Sequence, residues 1–190
     1  MRVISGTAKG RRLKTVPGDT TRPVMDRVKE NLFNIIGRGA AGARWLDLFA
    51  GTGQVGIEAL SRGAAEVVFI DNARAAIRTI HENLEHTRLT EGAQVIQSDA
   101  FGYLDRFRGR PFDLIYVAPP QYKLVWLEAL RRLDKSPQSF LTPDGVVVVQ
   151  IDPKEYRPQT LDNLSLYDQR RYGSTQLCFY EWAVSGEEEE

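Results

Sequence analysis

Apolar residues recur along this chain in two rhythms, and the change of rhythm marks the expected architecture. Residues 1–16 set Val3, Ile4, Leu13 and Val16 around Gly6 and Gly10, a spacing that predicts a short β-hairpin. Pro23 suits the first turn of a helix, and Val28, Leu32, Ile35 and Ile36 then share one face as far as residue 36. Gly37, Gly39 and Gly42 predict a linker. From Arg44 onward, short apolar runs alternate with helical patterns. Strands are expected at 45–49, 67–70, 95–97, 113–117 and 146–151, and helices at about 54–62, 73–88 and 123–133. The second of these helices carries Ile77, Ile80 and Leu84 at i, i+3 and i+7. After Pro158 the rhythm turns to two strands, 164–170 and 176–184, joined through Gly173. Strand–helix repeats imply an α/β domain, a mainly parallel sheet covered on both faces, and the last pair adds an antiparallel edge. The expected division is a basic hairpin and helix at 1–38, a main domain at 43–184 and an acidic tail at 185–190.

Charge changes this picture only through its distribution. The 190 residues hold 25 Lys and Arg against 25 Asp and Glu, which predicts no partner. Residues 1–38, however, contain nine basic side chains (Arg2, Lys9, Arg11, Arg12, Lys14, Arg22, Arg27, Lys29, Arg38) and three acidic ones (Asp19, Asp26, Glu30). Such a segment suits contact with a polyanion, and a solvated charged surface is the plainer alternative. Cys178, the single cysteine, lies among apolar and aromatic residues and is expected to be a buried reduced thiol. Neither a secretory signal nor a membrane span is visible, so a cytoplasmic protein is expected. His81 and His86 fall about 140° apart around a helix and cannot share a metal. Trp45, Trp126 and Trp182 are expected in or beside the core.

Open parallel sheets bind ligands beyond the carboxyl ends of their strands. The first such end here reads Asp47-Leu48-Phe49-Ala50-Gly51-Thr52-Gly53, with Gly56 completing a G-x-G-x-x-G that also fits a dinucleotide. Asp47 precedes the turn, where a carboxylate suits a ligand bearing an ammonium, such as the methionine moiety of S-adenosylmethionine. Asp71 ends the next strand and can take both hydroxyls of a ribose, which fits NAD equally. Asp99, followed by Ala100 and Phe101, ends the third and can reach an adenine amine. Each acid alone reads equally as a helix cap or turn residue. Three at successive strand ends favour S-adenosylmethionine.

The chain resembles the RsmD-type methyltransferases, which methylate the exocyclic N2 of a guanine in 16S ribosomal RNA. The resemblance rests on Met1-Arg2-Val3-Ile4-Ser5-Gly6, Lys9-Gly10-Arg11-Arg12-Leu13, the run from Thr21-Arg22-Pro23 through Asp26-Arg27-Val28 to Ile35, Leu46-Asp47-Leu48-Phe49-Ala50-Gly51-Thr52-Gly53, Gly56-Ile57-Glu58-Ala59-Leu60-Ser61-Arg62-Gly63-Ala64 and Tyr172-Gly173-Ser174-Thr175. It implies a Rossmann-like fold and S-adenosylmethionine held by Asp47, Phe49, Gly51, Gly53, Asp71, Asp99 and Ala100. It implies an RNA grip through Arg2, Lys9, Arg11, Arg12, Lys14, Arg22 and Arg27. The partner it implies is 16S RNA within a small-subunit particle, with guanine 966 as the family target, met by a single copy of the chain.

One motif departs. Family members carry Asp-Pro-Pro-Phe or Asp-Pro-Pro-Tyr where this chain has Ala118-Pro119-Pro120-Gln121-Tyr122. The amine of guanine is a poor nucleophile because its lone pair is delocalised into the ring. Acceptors on its N–H groups localise that pair and stabilise the positive charge developing on nitrogen. The motif supplies two, the acid side chain and a backbone carbonyl of the Pro-Pro turn, while an aromatic stacks on the extruded base. Ala118 leaves only the carbonyl, a loss of about 2.7–4 kcal/mol, or roughly 100- to 1000-fold in rate, unless another group replaces it. Gln121, turned inward with Tyr122 stacking, is the expected replacement; a solvated Gln121 is the alternative. The competing readings are an RNA-binding protein that has lost efficient transfer, methylation of another RNA or of DNA, and a nicotinamide-dependent oxidoreductase.

Overall fold

The structure, a computed structural model, describes residues 1–18 and 25–183. Pro23 and Arg22, Val184 and the acidic tail lie outside the described residues. Helix α1 (Asp26–Ile36) leads through a 3-10 turn, Gly37–Ala40, where the glycines predicted a linker. Four strand-and-helix steps and a fifth strand follow: β1 (Arg44–Asp47), α2 (Gln54–Ser61), β2 (Glu66–Asp71), α3 (Arg74–Thr87), β3 (Ala93–Gln97), α4 (Ala100–Arg106), β4 (Phe112–Val117), α5 (Val125–Lys135) and β5 (Leu141–Ile151). The hairpin of β6 (Leu164–Tyr172) and β7 (Thr175–Trp182) closes the chain.

All seven strands form one sheet in the order β3-β2-β1-β4-β5-β7-β6. Pairing is parallel from β3 to β5 and antiparallel at β5–β7 and β7–β6, as the change of rhythm predicted. The chain runs outward from β1 to β3 and then crosses back to β4 on the other side of β1. That reversal opens a crevice above β1 and β4, where ligands of such sheets bind. The strands alternate their side chains between two buried clusters. Val67, Phe69, Tyr116, Val148, Leu177 and Phe179 face α1, α2 and α3. Val68, Ile70, Ile115, Val117, Val149 and Cys178 face α4 and α5.

Three expectations change. The N-terminal segment does turn back on itself, with Val3 N donating to Arg11 O, Gly10 N to Val3 O and Leu13 N to Met1 O around the Arg2–Arg12 bridge, but it forms no regular strands. The N–H groups of Ile4, Ser5 and Ala8 turn instead to side chains of α2, and Val3, Ala8 and Leu13 are buried in the same cluster as α2. Helix α4 was not predicted, because seven residues with only Ala100 and Leu104 buried give too little period to read. Finally, β5 begins five residues early, its register slipping against β4 between Phe112 and Leu114 near Pro143 and Gly145. Cys178 is a buried free thiol, and Trp45 and Trp126 are fully buried. Trp182 is half-buried, its Nε1 donating to the Thr142 carbonyl at 2.9 Å.

Gly56 shows why the third glycine of the loop matters. A Cβ there would lie 2.3 Å from Phe69 Cε1 and 2.8 Å from Val67 Cγ1, so α2 sits on β2 with no room for a methyl group. Gly56→Ala is expected to destabilise the fold by about 1–3 kcal/mol. Thermal denaturation should register this as a fall in Tm, and an unchanged Tm would show that helix and strand part freely.

Candidate active site

The carboxyl ends of β1, β2 and β3 bring the three predicted acids to adjacent positions on one rim of the sheet. The chain leaves β1 through Gly51 and Gly53, at φ 56° and 76°, left-handed conformations that glycine adopts without strain. Asp71 braces that turn: one carboxylate oxygen accepts from Gly51 N and the other from Ala73 N, each at 2.9 Å. Asp99 caps α4, accepting from Gly102 N at 2.8 Å. The plain structural roles weighed for these acids are therefore real. Each carboxylate still has lone pairs to spare for a ligand.

Asp47 differs. It is buried, and its carboxylate accepts a long hydrogen bond from Gly56 N at 3.4 Å. Burial pushes its carboxyl up to about 7; the Gly56 N–H works against that and the charge of Asp71 adds to it. An acid so placed takes up either a proton or a cation. Phe49 meets Phe101 edge to face at 6.5 Å and Ala100 is buried, which gives the rim an apolar wall beside Asp99.

Beyond β4 the chain makes its departure turn. Ala118 is half-buried, Pro119 buried and Pro120 exposed. Tyr122 and Leu124 adopt left-handed φ of 63° and 53°, strained conformations for non-glycine residues that cluster at functional sites. Tyr122 Oη donates to Asp152 Oδ2 at 2.8 Å, and Asp152 Oδ1 accepts from Lys154 N. The bond to Asp152 raises the Tyr122 phenol, while the Lys154 N–H and then Tyr122 lower the Asp152 carboxyl. Most of the Tyr122 ring remains exposed, as a stacking platform requires. Gln121 is exposed and bonds to no described residue, so the inward turn expected of it is not the one seen. Two residues before that turn, on β4, buried Tyr116 donates from Oη to Gln150 Oε1 at 2.6 Å. Burial, with the charge of Asp47 adding, holds that phenol well above its ordinary range.

The basic segment lies against α2 and α3. Arg2 pairs with Asp26 at 3.0 Å and Lys14 with Glu82 at 2.9 Å, while Arg11 donates to the His86 carbonyl at 2.7 Å. Lys9, Arg12 and Arg27 are exposed and form no ion pair among the described residues. Lys29, counted among the basic residues of the arm, is fully buried on Glu58 and faces no partner. Sequence reading missed the residues that dock this segment. Glu58 accepts from Ile4 N, Ser5 N, Arg62 Nε and Lys29 Nζ, at 2.8, 2.9, 2.8 and 3.2 Å. Asn83 binds both backbone groups of Lys14 and donates to the carbonyl of Thr52, so one side chain ties the arm to the glycine turn. Their signal was a polar residue inside an apolar face: Glu58 interrupts Gly-Ile-x-Ala-Leu, and Asn83 adjoins Leu84 one turn beyond Ile80.

Among the described residues no group of His, Cys, Asp or Glu could hold a metal, and no helix is long and apolar enough to cross a membrane. The family model described as "Conserved hypothetical protein 95" matches residues 1–181. YlbH of Bacillus subtilis, provisionally an rRNA methyltransferase, is 44% identical over 95% of this chain and 98% of its own. "Ribosomal RNA small subunit methyltransferase D" of Escherichia coli is 31% identical over 98% and 92%. The solved structure of Escherichia coli YhhF, provisionally a methyltransferase, superposes with a TM-score of 0.82 at 32% identity, covering 96% of this chain and 97% of that one.

Proposed function

On the premise that this chain belongs to the family described as "Conserved hypothetical protein 95", the RsmD-type methyltransferases, we propose that it methylates the exocyclic N2 of a guanine in small-subunit 16S ribosomal RNA. The methyl donor is S-adenosylmethionine, which supplies an electrophilic methyl group on a sulfonium. The observation that carries the reading is the placement of Asp47, Asp71 and Asp99 on three adjacent strand ends, with the Pro119-Pro120 turn on the fourth, across the point where strand order reverses.

Each residue then has a task. Buried Asp47 accepts the ammonium of the donor's methionine part, and that cation offsets the penalty of an isolated buried carboxylate. Asp71, braced by Gly51 and Ala73, offers its remaining lone pairs to ribose hydroxyls. Asp99 reaches the adenine amine beside the wall made by Phe49 and Ala100, and Gly51 and Gly53 let the backbone approach closely. The Pro-Pro turn presents a carbonyl to the attacking amine without competing N–H donors, and Tyr122 stacks on the extruded base. Lys9, Arg12 and Arg27, with Arg2, Arg11, Lys14 and Arg22, neutralise phosphates of the RNA around that base, so binding weakens steeply with salt. Such an enzyme works as a single copy on a cytoplasmic ribosomal particle.

The test is incubation with radiolabelled S-adenosylmethionine and small ribosomal subunits that lack the modification. Labelling of one guanine at N2 is expected. Ala118 favours the RNA-binding alternative, which predicts no labelling by the native protein and clear labelling by Ala118→Asp.

A further inference from the structure

We infer that Gln150, pinned by Tyr116, stands in for the acid missing at Ala118: its amide oxygen accepts a hydrogen bond from the attacking amine. This rests on the methyl transfer proposed above and names the group that makes it work in this chain.

The register places the two residues together. In the parallel β4–β5 pair, Tyr116 lies beside Val148 and Val117 beside Val149. Continued one step past the end of β4, that register sets Ala118 beside Gln150, at roughly the 4.8 Å spacing of neighbouring strands. They also share a face. Ala118 packs on the cluster that contains Tyr116 and Val148. The Gln150 carboxamide is fixed on that same side by the 2.6 Å bond from Tyr116 Oη. A carboxylate at position 118 would project into the space this amide borders. Alanine leaves that space open, and glutamine has the reach to serve it from the adjacent strand.

The chemistry is consistent. Tyr116 donates to Gln150, so Oε1 is anchored yet keeps a second lone pair for an amine N–H. Gln150 is half-buried, at the boundary between the core and the crevice, whereas Gln121 is exposed and unanchored. A neutral amide is a weaker acceptor than a carboxylate, whose hydrogen bonds are roughly twice as strong. The chain thus keeps both acceptors for the amine, the Pro-Pro carbonyl and one side chain, the latter moved over by one strand.

The experiment compares single-turnover methylation of small subunits by the native protein, Gln150→Leu, and the double variant Gln150→Leu with Ala118→Asp. Gln150→Leu is expected to lose roughly 100-fold in kcat, the typical effect of removing one such contact, with affinity for S-adenosylmethionine unchanged. The double variant should recover at least about tenfold of that loss, because its new carboxylate occupies the vacated space. Gln150→Glu keeps shape and acceptors; it should remain active, with kcat rising as pH rises through the carboxyl's ionisation. That variant decides the matter if leucine prevents folding. A native protein that labels subunits but loses less than about threefold with Gln150→Leu would overturn this inference alone, as would a loss that Ala118→Asp does not rescue or an inactive Gln150→Glu. If the native protein does not label at all, the methyl-transfer reading fails and this inference falls with it.

Discussion

Glu58→Ala is expected to lower Tm by roughly 6–20 °C, the largest loss of stability among single substitutions near the site. Glu58 and Lys29 are both fully buried, and their bond of 3.2 Å has no water to replace it. Burial lowers the Lys29 pKa, and Glu58 is the main force acting against that. Without Glu58 the ammonium keeps, among the described residues, the hydrogen bond to the Arg2 carbonyl at 2.5 Å and the more distant charge of Asp26, while the N–H groups of Ile4 and Ser5 lose their acceptor. Breaking a buried pair from one side costs about 3–5 kcal/mol, and each kcal/mol moves Tm by about 2–4 °C in a chain of this size. The N-terminal part of the arm should also come loose, since its docking bonds to α2 converge on this carboxylate and on Ser61, which accepts from Ala8 N and donates to the Ser5 carbonyl. Thermal denaturation combined with limited proteolysis of residues 1–18 reads both effects. A second variant separates charge from shape: Glu58→Leu with Lys29→Met removes both charges and should restore much of the lost stability. A drop of under about 2 °C with Glu58→Ala would mean that the pair behaves as an exposed one.

Glu58 and Lys29 also show where sequence reading stops. The sheet, its parallel body and its antiparallel edge were legible because apolar periodicity switches with element type, and the acids on the sheet's rim were legible because strand ends are. Strand order at the edge was less open to view. β7 lies inside β6, and the mark of it is the continuous run Leu177-Cys178-Phe179-Tyr180, buried throughout, against the mostly exposed Ser165-Leu166-Tyr167-Asp168-Gln169-Arg170-Arg171. The N-terminal hairpin was legible as a turn-back but not in its docking. Gly6 and Gly10 turn the chain and backbone bonds join Val3 to Arg11 and Leu13 to Met1, while the donors of Ile4, Ser5 and Ala8 find carboxylate and hydroxyl acceptors more than fifty residues away. Composition counts Lys29 as a surface charge; only the tertiary structure shows it turned inward. Gln150 was passed over likewise, because its significance depends on which strand lies beside β4.

Asp47→Asn is expected to move stability and cofactor binding in opposite directions. The Asp47 carboxyl titrates at about 7 in the folded protein against an ordinary 3.8, so the native state holds this proton more tightly than the unfolded chain does. The resulting penalty is absent below about pH 4, grows as pH rises toward 7 and is complete above it. A shift of this size corresponds to on the order of 4 kcal/mol. Asparagine has the same shape, can still accept from Gly56 N and never ionises. The variant should therefore melt several degrees above the native protein at pH 8, with the gap closing toward pH 4. Binding of S-adenosylmethionine should weaken by roughly 10- to 100-fold in the variant, the worth of a hydrogen bond to a charged group. In the native protein, affinity should fall as pH drops below 7, because the proton competes with the ammonium for one carboxylate. Differential scanning fluorimetry and calorimetric titration between pH 5.5 and 8.5 test both halves. A variant less stable than the native protein at pH 8, or a native affinity flat across that range, would remove Asp47 from the ammonium role. NAD brings no ammonium to this position, so the same titration separates the two cofactor readings. A buried acid that weakens the empty protein is then explained by the ligand it receives, the usual origin of local cost at a functional site.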